Sequence, residues 1–238
     1  MQKPTGRRIA IIGDGKMGQS VAIIARERGH DVVATLHAAH NVGGAGISRE
    51  SLSQPEIAIE FTQPEAALPN VLACVRAGIP VVVGTTGWYD NLPQVEQAVG
   101  ADGGSVFYAP NFSLGVALFM QIAEQAARAM RDVEEFDAHI VETHHRAKKD
   151  APSGTAASLR AIVREGLGRD VAISSVRVGA VPGTHELLFD ASFEQIRLTH
   201  EARDRRVFAA GAVRAAEWLV GRQGVFTMRD MLQLTKEH

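Results

Sequence analysis

The sequence predicts an α/β protein with two domains, one built on a doubly wound parallel sheet and a smaller α+β domain with an open mixed or antiparallel sheet. Two observations favour this fold class. In residues 9–108, short apolar strands alternate with helical segments, as in parallel sheets covered on both faces. In residues 136–200, strand-like segments follow one another with only one helix among them, which predicts the second, open sheet.

The alternating region begins with a β-α-β unit. The continuous apolar run Ile9–Ile12 predicts a buried strand. A helix around Val21–Ala25 follows, stopped by Gly29, and a second strand is expected at Asp31–Leu36. Further strands are predicted at Ile57–Phe61, Ile79–Val83 and Ser105–Tyr108, with helices at Pro64–Ala77 and Leu92–Val99. Pro69 predicts a kink in the first of these helices or a late start.

The second region opens with a long, Ala-rich helix at Leu114–Met130. One further helix is expected near Thr155–Leu167. The strands are predicted at Phe136–Glu142, Ile173–Val178, Glu186–Phe189 and Gln195–His200. The last part of the chain returns to helix, at Val207–Val220 and Met228–Leu234.

Composition excludes several classes of function. The 238 residues carry a net charge of −2, so there is no basic field to attract nucleic acid. No apolar run approaches the roughly 18 residues of a membrane span, and the first residues lack the apolar core of a signal peptide. A single cysteine, Cys74, forms neither an internal disulfide nor a zinc knuckle. We therefore expect a cytoplasmic enzyme or binding protein without nucleic-acid or membrane partners.

A glycine-rich loop directly follows the first strand. The segment Gly13–Gly18 has the sequence GDGKMG and matches Gly-x-Gly-x-x-Gly in the required context of strand, helix and second strand. Such glycines permit a tight turn and let backbone N–H groups approach a pyrophosphate at the helix N-terminus. The loop predicts a Rossmann-type site for NADPH or NADH, with a ligand-free turn as the alternative.

The acidic residue that usually contacts the ribose of NAD is missing after the second strand, where His37 stands. Without a carboxylate to repel a 2′-phosphate, and with His37 or Lys16 to attract it, the sequence leans towards NADPH. A solvated loop histidine is the alternative. The segment Gly84–Gly87, GTTG, ends a central strand and predicts a second part of the ligand site, or an ordinary turn.

The densest chemistry lies in residues 142–155, ETHHRAKKDAPSGT. Imidazoles, cations and a Ser-Gly-Thr turn that opens a helix suit the binding of a carboxylate. Lys148 could supply a charge or a proton, and a histidine could protonate a carbanion or an amine. The same residues could instead form a solvated basic loop in which Ser153 only caps a helix. We expect no metal, because Glu142, His144 and His145 are too close in sequence to point at one ion.

Residues 142–156, ETHHRAKKDAPSGTA, resemble the signature E-x-H-H-x-x-K-x-D-A-P-S-G-T-A of the 4-hydroxy-tetrahydrodipicolinate reductase family. Further similar segments are GDGKMG at Gly13–Gly18, EFTQPEA at Glu60–Ala66, VVVGTTGW at Val81–Trp88, APNFSLGV at Ala109–Val116, GAVRAAEWL at Gly211–Leu219 and MRDML at Met228–Leu232. The resemblance covers essentially the whole chain. It implies an NAD(P)H-dependent oxidoreductase that reduces 4-hydroxy-tetrahydrodipicolinate, a cyclic dicarboxylate, to tetrahydrodipicolinate in the diaminopimelate route to lysine.

The resemblance also implies roles for individual residues. His144 would be the proton donor or acceptor and Lys148 a second proton donor. Substrate-binding residues would be His145, Ser153, Gly154, Thr155 and Thr86. Residues lining the cofactor would be Gly13, Asp14, Gly15, Lys16, Met17, Gly84, Thr85, Thr86, Ala109, Pro110, Asn111 and Phe112, and His37 is added because of its charge rather than the resemblance. The dinucleotide-binding domain would comprise residues 1–112 and 211–238, and residues 113–210 would form the substrate-binding and oligomerisation domain of a homo-oligomer, a tetramer in the family.

The sequence departs from the family pattern in several places. The glycine loop is one residue shorter, with Lys16 where arginine is common; His37 replaces an acidic residue, and Glu60 replaces an aspartate. The segment after the second strand is shorter, as is the segment between Gly168 and Gln195, which puts the tetramer in question. Two other functions stay open. A noncatalytic dinucleotide sensor would bind without turnover, and another imine or amino-acid dehydrogenase would lack a diacid preference.

Overall fold

The computed structural model describes residues 6–233, which form two compact units. The first unit runs up to Ser113 and resumes at Arg206, whereas the second comprises Leu114–Arg205. The predicted end of the last helix, Leu234, lies outside the described residues, as do the first five residues of the chain.

The described residues contain ten strands and seven α-helices. The strands are β1 (Arg8–Ile12), β2 (Asp31–Leu36), β3 (Ile57–Glu60), β4 (Val81–Val83), β5 (Ser105–Tyr108), β6 (Asp137–His144), β7 (Ala172–Arg177), β8 (Gly183–Asp190), β9 (Gln195–Ala202) and β10 (Gly224–Phe226). The helices are α1 (Lys16–Glu27), α2 (Pro64–Arg76), α3 (Leu92–Asp102), α4 (Leu114–Ala129), α5 (Gly154–Leu167), α6 (Arg206–Leu219) and α7 (Met228–Met231).

The first unit is built on a parallel sheet of six strands in the order β10-β5-β4-β3-β1-β2. Its central strands β1, β3 and β4 are almost entirely buried, as their continuous apolar runs predicted. Because β2 and β3 lie on opposite sides of β1, the winding direction reverses beside β1. The carboxyl ends of β1 and β3 therefore flank the crevice where sheets of this kind bind ligands. The predicted doubly wound parallel sheet is confirmed.

Two details of the first unit differ from the predictions. Helix α2 begins at Pro64 and continues through Pro69, so the late start was wrong. Burial of its Ala67, Val71 and Cys74 in the core stabilises a continuous helix despite the lost backbone hydrogen bond. Strand β10 was not predicted, because three residues beside a glycine are too short to show a periodicity.

Helix α6 lies close to the sheet because small residues form its inner face, among them the buried Ala212, Ala215 and Ala216. At Gly211, any Cβ would overlap the carbonyl oxygen of Phe112. This close approach joins the last part of the chain to the end of β5, within the first unit.

The second unit contains a four-stranded sheet in the order β7-β6-β8-β9. Strand β7 is parallel to β6, and the other two pairs are antiparallel, so the predicted open mixed sheet is confirmed. Helices α4 and α5 pack on one face, with Phe119, Leu159 and Phe189 in the core between them. On the opposite face, Val141 and Leu188 stay partly exposed. None of the described helices is both long and apolar enough to cross a bilayer.

Candidate active site

The end of β6 in the second unit brings titratable side chains together on a buried face. Glu142 and His144 are two residues apart and therefore point to the same side of the strand. On the neighbouring strand β8, His185 is the register partner of Glu142 and shares this face. All three residues are buried, and potential ligand atoms of the three lie within 4.8 Å of one another.

Glu142 has both carboxylate oxygens engaged although the side chain is fully buried. Its Oε2 accepts a hydrogen bond from Nδ1 of His144, and its Oε1 accepts one from Nη2 of Arg177 at 2.7 Å. Burial alone would raise the pKa of Glu142, but hydrogen bonds from Arg177, Ser175 and His144 outweigh it and lower the pKa to about 2. The carboxylate is therefore ionised and acts only as an acceptor.

This acceptor decides which ring nitrogen of His144 is available. Because an ionised carboxylate cannot donate, Nδ1 of His144 carries the proton and Nε2 is the free nitrogen. Burial lowers the pKa of His144, against the opposing effect of Glu142, so the imidazole is neutral at neutral pH. A Cβ at Gly183 would come within 3.0 Å of Nε2, so glycine leaves space in front of this atom.

His185 was not among the site residues that the sequence predicted. Its Nε2 lies 3.2 Å from Oγ of Ser153, and its ring centroid is 5.2 Å from that of His144. Burial lowers its pKa to about 4, so His185 is neutral. The sequence contained a weak indication of this residue. His185 occupies an inward position of β8, in phase with Leu187 and Phe189, and a buried polar side chain is expected to have a hydrogen-bond partner.

Ser153 caps helix α5, as one of the two interpretations of the sequence proposed. Its Oγ accepts a hydrogen bond from the N–H of Ala156 at 3.2 Å, which leaves the hydroxyl proton for Nε2 of His185. The next residue, Gly154, begins the helix, and a Cβ there would meet nothing within 4 Å. The positive end of the α5 dipole therefore faces open space beside the imidazoles, with Thr155 in its first turn.

Lys148 is held by a neighbour in its own loop. Its Nζ lies 2.8 Å from each carboxylate oxygen of Asp150. The backbone oxygen of Asp150 also accepts a hydrogen bond from Nη2 of Arg177 at 2.6 Å. Arg177 thus connects the lysine loop to Glu142, although β7 carried no motif that indicated it. His145 is not part of this cluster; its carbonyl oxygen accepts from the N–H of Lys148 at 3.1 Å.

The cluster of Glu142, His144 and His185 differs from the three neighbours considered in the sequence, because His185 takes the place of His145. Its hydrogen bonds oppose a metal ion. Both oxygens of Glu142 are occupied, and the guanidinium of Arg177 places a positive charge beside the carboxylate.

In the first unit, the glycine loop has the form that a dinucleotide needs. A Cβ at Gly13 would overlap the carbonyl oxygen of Phe61, and one at Gly18 would overlap that of Gly13. A Cβ at Gly15 would meet nothing within 4 Å, so the backbone at the start of α1, from Lys16 and Met17, is open to a ligand. A pyrophosphate site of this kind requires three glycines. Gly13 permits the tight turn, Gly15 lets the ligand approach the backbone, and Gly18 permits close packing of the helix.

The structure corrects the argument about the ribose. The carboxylate of Asp14 in the glycine loop lies 2.8 Å from Nδ1 of His37, and this hydrogen bond lowers the pKa of Asp14. A carboxylate therefore does lie beside His37, although none follows the second strand in the sequence. Residues 14 and 37 are close because they follow β1 and β2, which are neighbours in the sheet. The sequence around His37 gives no sign of this contact.

The two remaining predicted cofactor segments follow β4 and β5. Thr85 is buried, and its Oγ1 accepts a hydrogen bond from the N–H of Thr62 at 2.7 Å, whereas Thr86 is exposed. At Gly84, a Cβ would overlap the ring of Phe61. In the segment Ala109–Phe112, Pro110 is exposed, Asn111 is half-buried, and Ala109 and Phe112 are buried. The side chain of Phe112 therefore belongs to the core.

Comparison with known proteins agrees with the motifs over most of the chain. The family described as "Dihydrodipicolinate reductase, N-terminus" matches residues 7–112, and "Dihydrodipicolinate reductase, C-terminus" matches residues 115–232. A 4-hydroxy-tetrahydrodipicolinate reductase of Christiangramia forsetii is 37% identical, with 94% of this chain and 97% of that protein covered. Another, from Thiobacillus denitrificans, is 39% identical, with 87% and 84% covered.

The fold is also similar to a solved structure, a dipicolinate-bound dihydrodipicolinate reductase from Paenisporosarcina sp. TG-14. The TM-score is 0.80 at 23% identity, and the match covers 95% of this chain and 100% of that chain. At this identity the likeness concerns the fold.

Proposed function

Because this chain belongs to the dihydrodipicolinate reductase family, we propose that it catalyses the NAD(P)H-dependent reduction of 4-hydroxy-tetrahydrodipicolinate to tetrahydrodipicolinate in lysine biosynthesis. The observation that supports this function best is the ionised Glu142, which leaves Nε2 of a neutral His144 free beside a helix N-terminus. A dianionic ring needs such a combination of proton donor and positive potential.

The substrate-binding part of the proposal follows from charge. Two carboxylates would be attracted by the ammonium of Lys148, the α5 dipole and donors at Ser153, Gly154 and Thr155. His145 in the same loop completes the proposed substrate residues of the second unit, and the role of Thr86 stays a prediction from the sequence. Binding of the dianion would raise the pKa of His144, because a nearby negative charge favours the imidazolium. The histidine then takes up a proton at Nε2 as the substrate arrives.

The proton transfers use the residues of the second unit. When bound, the reduced nicotinamide supplies a hydride to the unsaturated ring. His144 donates its Nε2 proton to the ring carbon that gains the electron pair, and Glu142 stabilises the imidazolium until then. Before the hydride is transferred, Lys148 donates the other proton to the hydroxyl group of the substrate, which leaves as water while the neighbouring ring carbon loses a proton to solvent. The net reaction therefore takes up one hydride and one proton. Proton donation by Lys148 requires the ammonium to loosen its contact with Asp150.

The cofactor is NADPH or NADH, and the glycine loop of the first unit fits its pyrophosphate by the steric pattern of Gly13, Gly15 and Gly18. We assign the pyrophosphate to residues 13–17, the ribose end to His37, and the nicotinamide end to Gly84–Thr86 and Ala109–Phe112. The exposed pair of Asp14 and His37 would contact the ribose hydroxyls or a 2′-phosphate, so this pair would determine the preference between the two cofactors.

The decisive experiment follows the absorbance of the reduced cofactor with a freshly prepared condensation product of aspartate semialdehyde and pyruvate. NADPH and NADH are compared in parallel. Consumption that depends on the condensation product supports the proposal. Dinucleotide binding without turnover would indicate a sensor, and turnover of an amino acid or a monocarboxylic imine alone would indicate another dehydrogenase.

We further propose that the protein is a cytoplasmic homo-oligomer that assembles through the outer face of the second sheet. Val141 and Leu188 on this face are partly exposed, and Val176 is 41% exposed. The single cysteine is free and buried, which suits a reducing compartment. Light scattering after size exclusion tests the assembly: Leu188→Arg should lower the molar mass, and an unchanged mass would exclude this face. Cell fractionation tests the location.

A further inference from the structure

A second fully buried carboxyl group, Glu60, lies at the end of β3 in the first unit. Its register partners are Ile12 on β1 and Val83 on β4. These partners directly precede Gly13 and Gly84, the first residues of two proposed cofactor loops. Glu60 therefore lies at the base of the crevice, next to the point where the winding direction of the sheet reverses. It takes no part in the proposed proton transfers and does not belong to the glycine loop.

Hydrogen bonds connect Glu60 to these loops. Oγ1 of Thr62 and Nδ2 of Asn70 donate to Oε1 of Glu60, the amide at 3.3 Å. The N–H of Thr62 in turn donates to Oγ1 of Thr85 at 2.7 Å. On the other side, Nδ2 of Asn41 donates to Oδ1 of Asn70 at 2.7 Å. The network thus joins the ends of β3 and β4 and the loop after β2.

The surroundings of Glu60 do not compensate a negative charge. Within residues 6–233, no lysine, arginine or histidine forms an ion pair with it, and its Oε2 has no hydrogen-bond partner. The titratable group that it faces is the buried thiol of Cys74 on α2, whose pKa is raised mainly by burial. Burial also raises the pKa of Glu60, against the opposing effect of Thr62, Thr85 and Asn70. Burying an uncompensated carboxylate costs far more free energy than burying the neutral acid.

We propose that Glu60 is a protonated positioning residue for dinucleotide binding. As a neutral acid, it holds Thr62, and through Thr62 the hydroxyl of Thr85, so that the turn Gly84–Thr86 presents a fixed backbone to the cofactor. A neutral group at this position also avoids repulsion of the phosphates. The inference rests on the proposed cofactor site, and its tests measure folding and dinucleotide binding without substrate, so they are independent of turnover.

The charge of Glu60 is tested by thermal unfolding as a function of pH. A folded-state pKa raised above 4.5 means that wild type loses stability as pH rises through it. Glu60→Gln, which mimics the neutral acid, should match wild type near pH 4.5 and become increasingly more stable towards neutral pH. Glu56→Gln is the matched control of opposite sign, because its backbone hydrogen bond from Arg8 lowers the pKa of Glu56. A Glu60→Gln protein that is less stable at neutral pH, by a margin that shrinks in acid, would overturn the proposal.

The positioning role is tested by NADPH titration followed through protein fluorescence. Thr62→Val removes the hydroxyl link but leaves Glu60 in place, and it should raise the Kd of NADPH about tenfold, the scale of a lost hydrogen bond. Glu60→Leu should have at least this effect, and Glu60→Gln should restore most of the affinity. The midpoint of thermal unfolding serves as a control for folding. A folded Thr62→Val or Glu60→Leu protein with wild-type affinity for NADPH would exclude the role.

Discussion

Glu142 in the second unit and Glu60 in the first are both fully buried, yet they differ in charge. Glu142 lies between His144 and Arg177, and its hydrogen bonds lower the pKa to about 2. Glu60 contacts hydroxyl and amide groups, and burial raises its pKa. Burial therefore does not determine the charge of an acidic side chain; a guanidinium within hydrogen-bond distance does.

The two charge states suit two tasks. An ionised carboxylate fixes the tautomer of a histidine and stabilises its protonated form, which proton transfer requires. A neutral carboxyl group holds neighbouring hydroxyl groups without adding negative charge beside a pyrophosphate. The comparison thus separates a reacting region from a supporting region, and the variants below test that separation.

The largest expected effect is at His144. His144→Gln removes the proton donor, and we expect turnover at least about a hundredfold lower with the affinity for NADPH nearly unchanged. Lys148→Ala should behave in the same way. His139→Gln on the outer face of β6 and Lys149→Ala in the same loop are the matched controls. Turnover at the wild-type rate in the double variant His144→Gln, Lys148→Ala would refute the assignment of the proton donors.

Glu142→Gln should have the next largest effect, lowering turnover about tenfold or more. Without the carboxylate the pKa of His144 falls further, so the alkaline limb of the kcat/KM profile should move to lower pH. The stability of Glu142→Gln relative to wild type should depend on pH in the opposite way to that of Glu60→Gln. The pKa of Glu142 is lowered from 4.5 to about 2, so the ionised carboxylate stabilises the folded wild type above pH 4.5. This stabilisation is lost as the pH falls towards 2.

The deficit of Glu142→Gln in thermal stability should therefore be greatest at neutral pH and shrink in acid. Glu186→Gln, whose partner Arg197 is exposed, is the control on β8. Parallel stability curves for Glu142→Gln and Glu60→Gln would show that the two glutamates do not differ in charge.

A smaller effect is expected at the ribose end. His37→Glu places a second carboxylate beside Asp14, and it should shift the ratio of NADPH to NADH affinity about fivefold towards NADH, since an exposed charge contributes about 1 kcal/mol. His40→Glu, in the same loop, is the control. Equal changes in both affinities would remove the role of His37 in the choice of cofactor.

The smallest effect is expected at Asp150. Asp150→Asn releases the ammonium of Lys148 from its exposed ion pair and should tighten binding of the proposed dicarboxylate substrate about two- to threefold, the usual scale of such pairs. Asp170→Asn, which removes the exposed pair with Arg160, is the control. Weaker binding in Asp150→Asn would show that Asp150 positions Lys148 rather than competing with the substrate for it.

Much of the fold could be predicted because its signals are local. The apolar runs of β1, β3 and β4 and the alternation of β8 follow directly from burial on two faces or one. Strand β10 and the uninterrupted helix at Pro69 could not be predicted, since both depend on packing against distant residues. The family was apparent from residues 142–156, where eleven signature positions stand close together in the chain.

Only part of the candidate site could be predicted from the sequence. His144, Lys148 and Ser153 belong to a continuous motif, but the groups that define their chemistry come from other strands. His185 and Arg177 enter through the register of β8 and β7 with β6, and Asp14 meets His37 across β1 and β2. These contacts cannot be predicted from the spacing of residues along the chain.

The sequence by itself determined the strand and helix pattern, the glycine loop and the family, because each depends on residues that are near one another in the chain. Tertiary structure alone decided that Glu142 is ionised, that Nε2 is the free nitrogen of His144, and that Glu60 has no cation beside it. The physical reason is that charge states depend on the distance to partners in space. Those distances are set by strand register, over separations of tens of residues.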